Sequence, residues 1–241
     1  MSQKNKADAC PMPAPKTPGA PAGQGGGPEQ GKGAAEQAVP PAGDGAPLRV
    51  LLFGGTFDPP HAGHLHNLEA AIRAVKPDKV LVMPAGIPPH KAASATPGEW
   101  RLAMCQCFVP LFDGLEVCDW ELRRGGKSYT VDTVRMLARR FEGAALYLCV
   151  GSDMLLSFKA WRCWQELLQS VTLVVQSRER GDRAALEAAA EPLREAGGRV
   201  IFTDAEPLPM ASSSLRAGGA AAPPLLPWVA QIARQHHLYG R

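Results

Sequence analysis

The sequence predicts an α/β fold: a doubly wound, Rossmann-like parallel sheet with helices on both faces and a small C-terminal helical part. Three observations carry that reading. From Leu48 onward, short runs rich in β-branched and large apolar residues alternate with helical patterns, the order that a parallel sheet with crossover helices requires. The runs are apolar throughout rather than alternating with polar residues, as strands covered on both faces are. No internal repeat of solenoid period interrupts them.

Strands are expected at Arg49 to Phe53, Lys79 to Met83, Leu115 to Cys118, Ala145 to Val150, Val171 to Gln176 and Arg199 to Phe202. Helices fill the intervals. "GHLHNLEAAIRAV" spaces Leu65, Leu68, Ile72 and Val75 by three and four, a stripe able to cover a sheet. Further helices are expected over Gly98 to Phe108, Thr130 to Phe141, Ala160 to Gln169 and Arg183 to Ala196. A last one begins near Pro227 and ends before Gly240.

Two segments organise the 241 residues. Residues 1–47 are rich in Pro, Gly, Ala and Gln and hold almost no large apolar side chain. Such a stretch cannot offset its own ordering entropy and is expected to be disordered; it also lacks an apolar run of signal-peptide length. Residues 48–241 are enough for one domain. The formal charge is +3 with no Lys/Arg block from Leu48 onward, which argues against a nucleic-acid partner. The absence of eighteen consecutive apolar residues argues against a membrane span. The six cysteines, Cys10, Cys105, Cys107, Cys118, Cys149 and Cys163, form no CxxC pair. They read as small buried hydrophobes of a reduced, cytoplasmic protein rather than a zinc site.

In a doubly wound sheet, ligands sit outside the carboxyl ends of the strands. Behind the first strand stands "GGTFDPPHAGH". Gly54 and Gly55 would turn the backbone tightly and admit a ligand closely. A helix starting near Ala62 or Gly63 would present amides and a positive dipole end to an anion. His61 and His64 then lie on one face and can donate together to phosphate oxygens. Two alternatives remain on spacing alone: an ordinary β–α turn with surface histidines, or a histidine pair on zinc, for which no third ligand is near.

The stretch "GGTFDPPHAGH" resembles the first signature of the HxGH-type nucleotidyltransferase superfamily. "GIPPHK", "KSYTVDT", "GSDMLLSFKAW" and "ASSSLR" follow in the order and approximate spacing seen in bacterial nicotinate-nucleotide adenylyltransferases. The resemblance spans about Leu48 to Tyr239 and implies the Rossmann-like nucleotidyltransferase fold. The implied reaction joins ATP and nicotinate mononucleotide to give the dinucleotide and pyrophosphate in NAD biosynthesis, with Mg²⁺ on the ATP phosphates and no protein metal site. Its nucleophile is a phosphate oxygen already ionised at neutral pH, so no general base is needed.

What the resemblance implies for single residues is as follows. Gly54, Gly55, Thr56 and Phe57 line the ATP phosphates, and His61 and His64 hold the triphosphate. Lys91, with His90, clamps substrate phosphates from the stiff "IPPH" loop. Amides around Tyr129 and Thr130 receive the pyridine carboxylate, although helix capping alone would explain these residues. Trp161 stacks on the pyridine ring, where spacing alone favours a core tryptophan. Gly151 and Asp153 lie by the adenosine ribose, Asp153 serving equally well as a helix cap, and Arg178 is a further nucleotide contact. Ser213 caps a helix from which Arg216 reaches the departing phosphates. This last motif departs from the family's ISSTxxR, with Met210, Ala211 and Ser213 replacing Ile, Ser and Thr.

Overall fold

The computed structural model describes residues 45–89, 94–177, 179–217 and 223–240. His90, Lys91, Arg178 and nearly all of the expected disordered tail lie outside them. Six parallel strands form one sheet: β1 (Arg49–Gly55), β2 (Lys79–Pro84), β3 (Glu116–Val117), β4 (Ala145–Gly151), β5 (Val171–Gln176) and β6 (Arg199–Phe202). Their spatial order is β3-β2-β1-β4-β5-β6, so the winding reverses between β1 and β4, where α/β sheets open a crevice.

Successive side chains of a strand point to opposite faces, and both faces are buried here. Val50, Leu52, Leu146, Leu148, Leu173 and Val175 lie on one face in a cluster with α4 (Thr130–Arg140), α6 (Trp164–Ser170) and α7 (Arg183–Glu195). Leu51, Phe53, Tyr147, Cys149 and Val174 point the other way, toward α1 (Ala62–Val75) and Phe108. A third cluster seats α8 (Ser212–Ala217) and α9 (Pro227–Gln235) against Met104 of α2 (Gly98–Met104) and forms the C-terminal helical part.

Several elements depart from the sequence expectation for identifiable reasons. The glycine pair does not turn: Gly54 and Gly55 remain in β1, in register with Met83 and Pro84. The chain turns one step later, with Phe57 taking a left-handed φ of 49°. The helix expected to reach Phe108 is α-helical only to Met104 and continues as a 3₁₀ segment over Cys105–Leu111, where Pro110 has no amide to donate. The helix expected from Ala160 starts at Trp164, because Trp161 is extended and Cys163 is left-handed at φ 52°, a conformation an α-helix cannot contain. Two short helices were not foreseen, α3 (Trp120–Arg124) and α5 (Ser152–Leu156). Among the described residues no helix is long and apolar enough to cross a membrane.

The loop after β2 is fastened to α3 and α4. Ser128 donates its amide to the Ile87 carbonyl at 2.8 Å, and Gly86 donates to Glu121 Oε2 at 3.3 Å. A Cβ on Gly86 would stand 2.5 Å from Ser128 Oγ and 2.8 Å from the Glu121 carbonyl oxygen. Gly86→Ala is therefore expected to destabilise the protein by about 1–3 kcal/mol, measurable as a lowered urea midpoint at unchanged m-value.

Candidate active site

The crevice begins where β1 and β4 part. Their register runs to Leu52↔Leu148, and three residues further along stand Gly55 and Gly151, level with each other at the two strand ends. Gly54 is exposed, and a Cβ there would meet nothing nearer than the Met83 carbonyl oxygen at 4.0 Å. That opening suits close approach of a ligand to the backbone. Gly55 is required for another reason: the Phe57 ring folds back over it, 2.9 Å from where a Cβ would be.

His61 is the extended N-cap of α1, and His64 is the third residue of its first turn. Their rings stack with centroids 3.7 Å apart and planes 28° from parallel, so the structure brings the pair onto one face as expected. The His61 amide donates to His64 Nδ1 at 3.2 Å. An accepting Nδ1 places the proton of the neutral His64 ring on Nε2. Phe57 packs edge-on against His64, with centroids 5.1 Å apart. Gly63 keeps the arrangement possible, since a Cβ there would lie 3.1 Å from the His61 ring and 3.3 Å from Met210 Cβ.

Behind the histidines the loop is held by two buried ionic groups: Asp58, which the sequence places with Pro59 and Pro60 as the fixed middle of the motif, and Arg101, which carries no motif signal. Arg101, 4% exposed, donates from Nη1 to the carbonyls of Thr56 at 2.9 Å and Ala85 at 2.7 Å, and from Nε to that of Thr96 at 3.3 Å. One guanidinium thus ties the ends of β1 and β2 to the lead-in of α2. Its sequence signal is a cation in line with Met104, Cys105 and Phe108 on the buried stripe of its helix. Asp58, 5% exposed, accepts from Ser94 Oγ at 2.6 Å, Thr96 Oγ1 at 2.6 Å and Tyr239 OH at 2.7 Å. Burial alone would raise its pKa, but those three hydroxyls and the Arg216 charge outweigh it and hold the carboxyl below its ordinary 3.8.

Arg216 lies in α8 and donates from Nη1 to the Asp58 carbonyl at 2.5 Å, which puts it beside the loop leading to the histidine pair. Ser213 does not cap: α8 starts at Ser212, so Ser213 sits inside its first turn and is exposed. Ser212 Oγ instead donates to the Pro59 carbonyl at 2.9 Å. Asp153 is an exposed residue of the first turn of α5 and Gly151 is that helix's N-cap.

A second group gathers at the start of α4. Tyr129 is its N-cap and Thr130 its first residue. Arg162, beside Trp161, holds its guanidinium 4.7 Å from the Tyr129 ring centroid, which joins the two sequence-predicted sites through a residue that carried no motif signal. Trp161 rests on Phe158 with centroids 5.2 Å apart. The spacing between these elements is braced by Arg135 of α4, which meets Glu166 of α6 with two 2.6 Å hydrogen bonds. Glu121 Oε1 accepts from Thr133 at 2.6 Å while its other oxygen takes the Gly86 amide.

A parallel sheet of this order, with a stacked histidine pair at the start of its first helix and a second polar helix start at Tyr129, has the frame of an HxGH-type nucleotidyltransferase. The sequence model of the cytidylyltransferase-like family matches residues 52–217. The probable nicotinate-nucleotide adenylyltransferase of Symbiobacterium thermophilum is 37% identical over 202 residues, 80% of this chain and 96% of that protein. Those of Shouchella clausii and Gemmatimonas aurantiaca are 44% and 42% identical over 131 and 132 residues, covering 54% and 55% of this chain and 68% and 63% of their own lengths. The chain belongs to the cytidylyltransferase-like family and, within it, to the nicotinate-nucleotide adenylyltransferases. The solved nicotinic acid mononucleotide adenylyltransferase of Plasmodium falciparum complexed with NaAD has a TM-score of 0.65 at 14% identity, over 80% of this chain and 98% of that one, a likeness of fold alone.

Because the folded Asp58 pKa lies below the unfolded one, the folded protein binds this proton less readily than the unfolded chain. The stabilisation is fully present above the ordinary carboxyl pKa of about 4 and is lost as pH falls through the folded value. Asp58→Asn is expected to be less stable than the natural protein at neutral pH, with the gap narrowing on acidification below about pH 4; a gap independent of pH in acid unfolding would refute the assignment.

Proposed function

We propose that the protein transfers the adenylyl group of ATP to nicotinate mononucleotide, giving nicotinate adenine dinucleotide and pyrophosphate in NAD biosynthesis. The observation that carries this reading is the stacked His61–His64 pair at the start of α1, level with the opening between β1 and β4. The names of its relatives support the same reading.

The mononucleotide phosphate oxygen attacks the α-phosphorus of ATP. A new P–O bond forms while the bond to the β-phosphate's bridging oxygen breaks, and pyrophosphate leaves with that electron pair. No proton need be removed from the nucleophile, so the chain's work is orientation and charge stabilisation. His64, with its proton on Nε2, donates to phosphate oxygens, and its stacked partner His61 lies on the same face. Arg216, at the loop's other flank, is placed to balance the charge of the departing group. Mg²⁺ would be carried by the ATP phosphates and would neutralise part of their charge. His90, Lys91 and Arg178 keep their proposed phosphate and nucleotide contacts, and Gly151 and Asp153 their place beside the adenosine.

For the second substrate, the amides of Tyr129 and Thr130 begin a helix whose first turn leaves donors without intrahelical acceptors. A carboxylate on the pyridine ring matches such donors, whereas an amide would bring donors of its own. Trp161 supplies the stacking face. A cytoplasmic location accords with the five unbridged cysteines among the described residues.

The test is pyrophosphate release from ATP and Mg²⁺ with nicotinate mononucleotide, run beside the nicotinamide form; release is expected with the first and weaker release with the second. His64→Ala is expected to lower kcat by about 100-fold or more with the circular dichroism spectrum retained. Trp161→Ala is expected to raise the KM for the mononucleotide far more than that for ATP, and equal effects on both would remove Trp161 from the pyridine site.

A further inference from the structure

Tyr239 lies beyond the residues that the family model matches, 181 positions from the loop it touches. It follows α9 in a 3₁₀ turn with left-handed backbone at φ 59°. Its hydroxyl donates to Asp58 Oδ1 at 2.7 Å, and Thr96 Oγ1 stands 3.3 Å from the same hydroxyl. The tyrosine is delivered there by α9. Val229 and Ala233 are fully buried, Trp228 donates to the Ala103 carbonyl at 2.9 Å, and His236 stacks on Trp100 at 3.5 Å.

Asp58 is consequently held from three directions: Oδ1 by Thr96 and Tyr239, Oδ2 by Ser94, and its backbone carbonyl by Arg216. Pro59 and Pro60 join Asp58 to His61 with both φ angles fixed by their rings. A shift of Asp58 therefore carries through a stiff connection to the histidine pair. A carboxylate this buried needs some donors merely to be tolerated, and Ser94 and Thr96 supply one to each oxygen. The tyrosine hydroxyl is the additional one, brought from the far end of the chain.

We propose that Tyr239 is a positioning residue for adenylyl transfer: its hydroxyl fixes Asp58 and, through Pro59 and Pro60, sets His61 and His64 against the reacting phosphates. The inference rests on the adenylyl-transfer reading above. Its prediction separates placement from folding. Tyr239→Phe keeps the ring in its apolar seat and leaves Asp58 two hydroxyl donors, so the fold persists while the loop loses one restraint. The hydroxyl partners of Tyr239, namely Asp58, Thr96 and Met104, are not residues of the proposed pyridine site, which comprises Tyr129 and Thr130 at the start of α4 and Trp161 ahead of α6.

The experiment uses the full chain and measures kcat and both KM values for the natural protein, Tyr239→Phe and Ser94→Ala, each corrected for folded fraction by its thermal unfolding curve. The expected result is a fall in kcat of about tenfold, since small misplacements of catalytic groups cost this much or more, with the KM for nicotinate mononucleotide unchanged. Ser94→Ala, which removes the hydroxyl donor to Asp58 Oδ2 without touching the C-terminal helix, is expected to show the same split per folded molecule at a greater cost in stability. A kcat per folded molecule within twofold of the natural protein for Tyr239→Phe overturns the proposal whatever Ser94→Ala shows, as does a loss explained wholly by folded fraction. If the natural protein itself releases no pyrophosphate, the adenylyl-transfer reading falls and the proposal with it.

Discussion

The guanidinium of Arg101 is the contact on which the loop leading to the histidine pair depends. It is buried, yet it gives its hydrogen bonds to backbone carbonyls of three separate segments rather than to an acid. Burial pulls its pKa down while the nearby Asp58 charge works against that shift. A buried cation is a weak source of stability, because desolvation takes back most of what the hydrogen bonds give. It is a strong source of geometry: no apolar side chain could satisfy those three carbonyls, so the loops after β1 and β2 have one arrangement in which all are paired. Asp58 answers with the opposite charge, its oxygens taken by hydroxyls drawn from two distant segments.

The opposite end of the crevice is held by a different logic, that of close approach and braced helices. Glu121 spans from the Gly86 amide to the Thr133 hydroxyl, and Gly86 is small because Ser128 and the α3 backbone occupy the place of a side chain. Arg135 and Glu166 lock α4 to α6, which keeps Tyr129 and Arg162 in register. The two sets of supports meet in the loop after β2, where the Ala85 carbonyl accepts from Arg101 and the amide of the next residue, Gly86, donates to Glu121.

Much of this was legible in the sequence because it is written locally. Five of the six strands announce themselves as apolar, β-branched runs, and the HxGH histidines declare their pairing by spacing alone. The glycine pair was found but misplaced in role, since nothing local told that Phe57 rather than Gly55 would carry the left-handed turn. Cys163 hid a helix boundary for a similar reason: a left-handed cysteine has no signature comparable to glycine or proline. Arg101, Glu121, Arg162 and Tyr239 escaped because, apart from the Arg101–Thr96 contact, their partners lie 12 to 181 residues away. Periodicity reports which face a residue occupies, not whose carbonyl waits there.

Helix α2 connects these observations into one mechanical unit. Arg101 reaches from it to the loops beneath the histidines, while Trp100, Ala103 and Met104 receive the C-terminal helices. Tyr239 then returns from those helices to Asp58, closing a circuit that runs from the Asp58 loop through α2 and α9 back to the same loop. A circuit of this kind resists distortion better than a single tether, because moving the loop away from either support strains the other. The C-terminal helices therefore belong, in a physical sense, to the half of the molecule that holds the histidine pair, although the family match ends with α8, before α9.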